Sequence, residues 1–260
     1  MEIHPINTKI TLEKGRPQNA KQKKRQLNAH ARALSSLTII LITLITVAVV
    51  VAAALTLSRL LPTHTIECSG NLVTKTMDFT DFTNVDVGGG FKVEITQSSL
   101  YSIRITADNN TFDYIDAYKT GDTLTIGLKS GYSYRGVTLK ADITMPDLYA
   151  VTLSGGTRGK AKEFTSTHEF ALSLSGGSSI ELEGEASNLN LDASGGSRSD
   201  LSDFPVHNAT VLLSGGSQAT INLNGTLDAN LTGGSQLQYI GTPTMGEIST
   251  SGGSTITKKQ

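Results

Sequence analysis

A hydroxyl residue followed by two glycines returns six times in the second half of this chain: Ser154-Gly155-Gly156, Ser175-Gly176-Gly177, Ser194-Gly195-Gly196, Ser214-Gly215-Gly216, Thr232-Gly233-Gly234 and Ser251-Gly252-Gly253, at spacings of 21, 19, 20, 18 and 19 residues. A period this short leaves no room for a helix in each unit, and fixed self-similarity marks a repeat architecture. Three positions before each hydroxyl stands an apolar side chain, Val151, Leu172, Leu191, Val211, Ala229 or Ile248, and the residue after it is mainly polar, as at Thr152, Ser173, Asp192, Asn230 and Ser249. That alternation is a strand with one buried face. After the glycines come another hydroxyl, Thr157, Ser178, Ser197, Ser217, Ser235 or Ser254, and a second short strand such as Ser179-Ile180-Glu181-Leu182.

A unit of this size cannot bury its apolar face alone and must stack on its neighbours. The expected fold class is all-β: a parallel β-helix or solenoid with coils of about 19 residues, rising about 4.8 Å per coil, plus one N-terminal transmembrane α-helix. The glycine pairs Gly155/Gly156, Gly176/Gly177, Gly195/Gly196, Gly215/Gly216, Gly233/Gly234 and Gly252/Gly253 are then structural corners, where positive φ or close backbone approach is needed. The flanking hydroxyls bond from coil to coil or to local backbone. A calcium-binding reading fails, because the position that would need Asp holds Lys160, Glu181, Asp200, Thr220, Gln238 and Thr257. Gly88-Gly89-Gly90 leads into a strand, so no dinucleotide or P-loop fingerprint is present.

Residues 78–149 alternate in the same way over Phe91 to Thr96, Tyr101 to Thr106, Thr123 to Leu128 and Val137 to Thr144, with turn signals at Asp108-Asn109-Asn110 and Gly121-Asp122. They are expected to form a diverged, aromatic-rich start of the same stack, with Val85-Asp86-Val87-Gly88-Gly89 as its first corner. The six repeats then occupy 150–257.

The net charge of −1 hides two opposite ends. Residues 1–35 carry a net of +6 and the remainder a net of −7. Between them, Ser36 to Leu57 contains no charge, Pro or Gly, and its 22 residues exceed the roughly 20 that cross a bilayer core. A cleaved signal peptide would have a shorter apolar region and a shorter basic flank. The basic residues Lys21, Lys23, Lys24, Arg25 and Arg32 precede the span and Arg59 alone follows it, which places the N-terminus in the cytoplasm. The expected organisation is a basic cytoplasmic segment at 1–35, a transmembrane helix at 36–57, a stalk at 58–77 and an extracytoplasmic domain at 78–257. The basic cluster has no interleaved aromatics, so anionic lipid, and no nucleic acid, is its expected partner. Cys68 is the sole cysteine, so no disulfide forms within the chain, and Thr65-Ile66-Glu67 before it lacks the small residues of a lipidation signal.

The run Phe79-Thr80-Asp81-Phe82-Thr83-Asn84-Val85-Asp86-Val87-Gly88-Gly89-Gly90-Phe91-Lys92-Val93-Glu94-Ile95, followed by Ile105 to Asn110, Gly121 to Ile126 and Ile143-Thr144-Met145-Pro146-Asp147-Leu148 leading into the glycine ladder, resembles the auto-transporter adhesin head domain of the GIN type. The resemblance covers about 78–257 and implies a β-helical, envelope-associated domain with no catalytic residue to carry over.

Chemistry-bearing constellations are sparse. β-Helical polysaccharide lyases and hydrolases group acids on one outer sheet; here Asp192, Asp200, Asp203 and Asp228, with Arg158 and Arg198, are the residues such an enzyme would use. No G-x-S-x-G elbow exists, and five histidines with one Cys supply no zinc ligand set: His4 and His30 precede the span, His64 falls in the stalk, and His168 and His207 are expected in loops or on the surface. Four N-x-S/T sequons, at Asn109, Asn208, Asn224 and Asn230, are what this composition produces by chance. Tyr132, Tyr134 and Arg135 are the candidate ligand-facing residues, two aromatics at period two beside a cation; they would either stack on sugar rings or cap the stack against water. No catalytic residue, metal or cofactor is expected. The expected function is a membrane-anchored, non-enzymatic surface binding, adhesion or envelope scaffold module, and the alternative is a carbohydrate-active β-helix enzyme. Expected partners are membrane lipid through the anchor, an envelope glycan or surface protein, and a weak homotypic contact at the last coil, unless residues 78–149 fold back to cap it.

Overall fold

A computed structural model of the chain describes residues 64–259. The described residues all belong to one compact unit, Pro62–Gln260. The apolar stretch expected to span a membrane lies outside them; among the described residues no helix is long and apolar enough to do so.

The described residues are all-β apart from one 3-10 turn, Asn109–Tyr114. In chain order the first strands are β1 (His64–Glu67), β2 (Leu72–Met77), β3 (Asn84–Val87), β4 (Lys92–Gln97), β5 (Ser102–Asp108), β6 (Ile115–Thr120), β7 (Thr123–Leu128), β8 (Tyr132–Arg135) and β9 (Leu139–Met145). The repeats supply β10 (Ala150–Leu153), β11 (Arg158–Leu174), β12 (Ser179–Ala193), β13 (Arg198–Leu213), β14 (Gln218–Leu223), β15 (Thr226–Leu231), β16 (Gln236–Ile240), β17 (Thr244–Thr250) and β18 (Thr255–Lys258). The stretch expected to be a stalk thus contributes two strands from residue 64 onward.

Every repeat pairs in parallel with the next, in the register its triplet defines. Before the corners, Val85, Val151, Leu172, Leu191, Val211, Ala229 and Ile248 are successive partners across β3, β10, the ends of β11, β12 and β13, then β15 and β17. After the corners, Val93, Gly159, Ile180, Ser199, Ala219, Leu237 and Ile256 are partners across β4, the starts of β11, β12 and β13, then β14, β16 and β18. Strand alternation turns these rows inward into one core as far as Ala229 and Leu237, while Ile248 on the last rung is exposed. Leu191 is fully buried while Asp192 beside it is exposed. Phe170 and Phe204, with ring centroids 5.3 Å apart, fill the core near the middle of the long strands.

The corners show why the triplet is invariant in form. Both glycines adopt positive φ, for example 65° at Gly195 and 76° at Gly196, the pair of signs that defines a type I′ turn. At several corners the amide of the closing hydroxyl residue donates to the carbonyl of the opening one, as Ser217 N–H to Ser214 O at 3.3 Å. The closing hydroxyl donates to the same carbonyl, Ser197 Oγ to Ser194 O at 2.6 Å and Ser217 Oγ to Ser214 O at 2.7 Å. Ser178 Oγ instead reaches the Leu153 carbonyl of the preceding rung at 3.0 Å. The hydroxyl rows therefore use both routes expected of them.

Two features depart from expectation. The two strands of a unit do not always separate: β11, β12 and β13 run through, with register shifts between Ala161 and Phe164 and between Leu201 and Pro205. The chain bends there by bulging, Glu163 taking φ 67° and Pro205 sitting at a shift where no ladder donor is needed. The stack is also not parallel throughout. The first rungs are parallel, β7 to β3 and β9 to β4, and Gly89 and Gly90 do form the first corner. Beyond them β6 pairs antiparallel with β7, and β2 and β9 pair antiparallel with β5. The two-residue link Gly121-Asp122 dictates this for β6 and β7, since so short a connection can only make a hairpin. Residues 78–149 thus finish the first end of the stack, and the idea that they fold back over the last coil is overturned: β17 and β18 terminate the other end, with β17 exposed along its whole length.

The two corner glycines are not equivalent. A Cβ on Gly195 would lie 3.1 Å from the backbone nitrogen of Gly176, whereas a Cβ on Gly196 would meet nothing within 4 Å. Gly196→Ala should cost about 1–2 kcal/mol, the left-handed penalty alone, and Gly195→Ala should cost clearly more; chemical denaturation of the two variants measures the difference, and equal losses would contradict the close-approach ladder.

Candidate functional site

The residues singled out as ligand-facing lie on a small parallel sheet formed by β1 and β8, with His64 opposite Tyr132, Ile66 opposite Tyr134 and Glu67 opposite Arg135. The structure adds Tyr114 from the 3-10 turn, whose ring stands edge-on to Tyr132 at 4.8 Å and to Tyr134 at 6.4 Å. The Tyr134 hydroxyl donates to the Lys129 carbonyl at 2.9 Å, and burial pushes its pKa above the usual phenol range. Arg135 faces Glu67 at 3.8 Å with both side chains largely exposed, a pairing that contributes little to stability. Tyr132 and Tyr134 are half-buried, so the patch offers phenol edges and partly covered aromatic surface beside a paired guanidinium.

What holds this sheet in place is Asp108, which sequence reasoning treated only as a turn residue. Its carboxylate accepts the Gly70 and Thr138 amides, each at 2.8 Å, and the Ser69 hydroxyl at 3.4 Å. Those segments follow β1 and β8 directly, so one buried carboxylate ties the ends of both strands to β5. The Thr138 amide above all, with the Gly70 amide and Ser69 behind it, holds the Asp108 carboxyl below its ordinary range against the opposing effect of burial. The sequence signal was the Asp-Asn-Asn run, since Asn110 also reaches back, its Nδ2 donating to the Glu67 carbonyl at 2.9 Å.

A second candidate surface lies on the outer face of the strands that follow the corners. Just past each corner the outward residues Lys140, Lys92, Arg158, Ser179, Arg198, Gln218 and Gln236 are successive register partners. Two residues further along, Asp142, Glu94, Lys160, Glu181 and Asp200 form the next row. Lys160 pairs with Glu183 at 2.5 Å and Glu181 at 3.6 Å, and Lys162 pairs with Glu94 at 2.6 Å. Glu183 accordingly raises the Lys160 pKa, and the Lys162 hydrogen bond lowers that of Glu94. An open groove of about 720 Å³ runs over these rows.

The acids proposed for an enzyme are not brought together. Asp192 and Asp228 precede their corners, in register with Leu212 and Thr210, while Asp200 and Asp203 follow theirs, opposite Glu181 and Glu183. Arg158 and Arg198 are two rungs apart with Ser179 between. Among the described residues no group of His, Cys, Asp and Glu is placed to hold a metal.

A family model described as "Putative auto-transporter adhesin, head GIN domain" matches residues 81–243. Among solved structures, one described as a putative adhesin from Bacteroides fragilis is 20% identical, covers 75% of this chain and 100% of its own, and superposes with a TM-score of 0.63. Two more described in the same way, from Parabacteroides distasonis and Parabacteroides merdae, are 17% and 18% identical, cover 75% and 76% of this chain and all of their own, and give TM-scores of 0.52 and 0.50. At these identities the likeness is one of fold. A search of curated proteins finds no match.

The Asp108 latch makes the tyrosine patch acid-sensitive. A carboxyl whose folded pKa is depressed contributes stability that is fully present above its unfolded value, about 3.9, and is lost as pH falls through the folded value. Acid titration of the protein below about pH 4 should therefore loosen β1 and β8, read by tyrosine emission in a chain without Trp. Asp108→Asn, whose amide would oppose one of the bound N–H groups, should lower Tm at neutral pH and flatten that acid limb; an unchanged limb would remove Asp108 from the role.

Proposed function

We propose, because the chain belongs to the auto-transporter adhesin head (GIN) domain family, that it acts as a non-enzymatic surface binding, adhesion or envelope scaffold module. In this reading the stacked repeats form a parallel β-solenoid, anchored by a transmembrane helix at 36–57, with residues 1–35 in the cytoplasm and the domain from residue 62 outside. The observation that carries it is the register: polar outer side chains recur at fixed positions on successive rungs, which suits contact with an extended partner. Asp200 is not set up as a general acid. A glycosidic general acid needs a raised pKa, and the Ser202 hydroxyl holds the Asp200 carboxyl below the usual range, with Ser202 Oγ 2.6 Å from Asp200 Oδ1. The anchor and its orientation rest on the length of the apolar stretch and on the Lys/Arg bias before it.

Incubation of the protein with a panel of envelope polysaccharides should release neither reducing ends nor unsaturated sugars. Turnover that disappears in Asp200→Asn or Asp203→Asn would sink the binding-module reading in favour of a β-helix lyase or hydrolase. For topology, protease added to intact cells should remove the C-terminal domain and leave the basic segment protected; a protected domain, or a mature chain beginning near residue 55, would overturn the anchor.

A further inference from the structure

Lys140, Lys92 and Arg158 occupy three consecutive rungs in direct register, and Arg198 lies two rungs beyond. Paired strands are about 4.8 Å apart, and like charges directly opposite one another destabilise a sheet. The fold has acids at hand yet gives this row no direct partner: none of the four cations forms an ion pair among the described residues, while Glu94 is taken by Lys162, and Glu181 and Glu183 by Lys160. Arg198 bonds only the neutral Gln218, at 2.6 Å. All four are exposed, and Lys92, Arg158 and Arg198 border the open groove.

We infer that this row is a binding track for a linear polyanionic glycan, lying along the stack with its carboxylates or phosphates over Lys140, Lys92, Arg158 and Arg198. The inference rests on the binding-module reading and gives that module its ligand class. An anion between successive rungs removes the repulsion that the bare row carries. A sugar residue of an extended polysaccharide advances by a length comparable to one rung, so anionic groups can follow the cations one by one. The shape of the charge selects a chain over a plane: the cations stand in one line, and the next row, two residues away, is mixed, with Asp142, Glu94, Glu181 and Asp200 around Lys160, so no broad positive face is offered to a flat anionic membrane. Single-stranded nucleic acid is disfavoured because its binding sites combine cations with stacking aromatics, and Phe91, the aromatic lining this groove, is fully buried.

The test uses the full chain in non-ionic detergent, with polygalacturonate as the carboxylate probe, poly(glycerol phosphate) as the phosphate probe and dextran as the neutral control. One or both polyanions should bind at low salt, with affinity falling as salt rises, and the one that binds identifies the anion. Lys92→Gln with Arg158→Gln should weaken binding at least tenfold and reduce the salt dependence. Lys119→Gln with Lys258→Gln, equal in charge but off the row, should change affinity less than twofold. The row variant should keep or raise Tm, because it relieves repulsion, so lost binding would not reflect unfolding. Failure of both polyanions to bind, unchanged affinity in the row variant, or equally tight binding of single-stranded DNA or anionic vesicles would overturn the track. Dextran binding that survives the row variant would overturn it while leaving the module reading intact, whereas shortening of either probe would defeat the module reading itself.

Discussion

The contact on which this fold depends is between backbones. At each corner the first glycine sits so close to its counterpart one rung below that a side chain would fall 2.9 to 3.1 Å from a backbone nitrogen, from Gly155 over Gly89 to Gly252 over Gly233. No other residue permits that approach at positive φ. Because the approach fixes the height and lateral position of every rung, it also fixes strand register, and a slip of one residue would turn each apolar row out to solvent. The second glycine contributes only its backbone conformation, and the closing hydroxyl satisfies a carbonyl of its own corner or, at Ser178, of the preceding rung. The triplet is thus one device with three separable duties.

Once register is locked, each position of the repeat becomes a line along the stack. Inward lines must share a core, and their volumes offset one another: Gly159 follows Val93 and precedes Ile180, and Leu153 and Ile180 occupy the space that a Cβ on Gly159 would need. Ser199 is the exception, an inward hydroxyl with no hydrogen-bond partner between Ile180 and Ala219. Outward lines have no volume constraint, but they accumulate charge, since side chains of one sign at one position are brought together on every rung. Lys160 and Lys162 show the accommodated form of that problem, each held by Glu side chains across a rung.

The repeat itself was legible because its signal is periodic and local. Six triplets and their alternating flanks predicted the parallel pairing, the corner conformation and the burial of Leu191 beside exposed Asp192, all of which follow from one register. The first end of the stack was less legible. Its antiparallel strands come from single connections, such as Gly121-Asp122, that carry no period, and β2 hides its alternation because, as an edge strand, it has one partner and is mostly exposed. Of the candidate site, Tyr132, Tyr134 and Arg135 could be singled out by composition, but Tyr114 joins them from 18 residues away through a helical turn, and Asp108 acts through backbone amides that leave no mark on side-chain pattern. The cation row escaped notice for another reason: Lys92 and Lys140 belong to the diverged half, and only the strand pairing shows that they stand beside Arg158.

That last point separates what a family likeness conveys from what a surface does. The glycine ladder sets where an outward side chain will stand and is indifferent to what it is. Along the row just past the corners, geometry stays constant while chemistry changes, from Lys140, Lys92 and Arg158 at one end to Gln218, Gln236 and Thr255 at the other. A chain at 20% identity can therefore share the fold, as the Bacteroides fragilis structure does with a TM-score of 0.63, whatever side chains stand on its outward lines. Substitutions on the outward line cost the core nothing, so ligand preference can drift without loss of fold. If the cation row is the binding track inferred above, specificity is written in the side chains along one line, read in register, rather than in the repeat by which the fold is recognised.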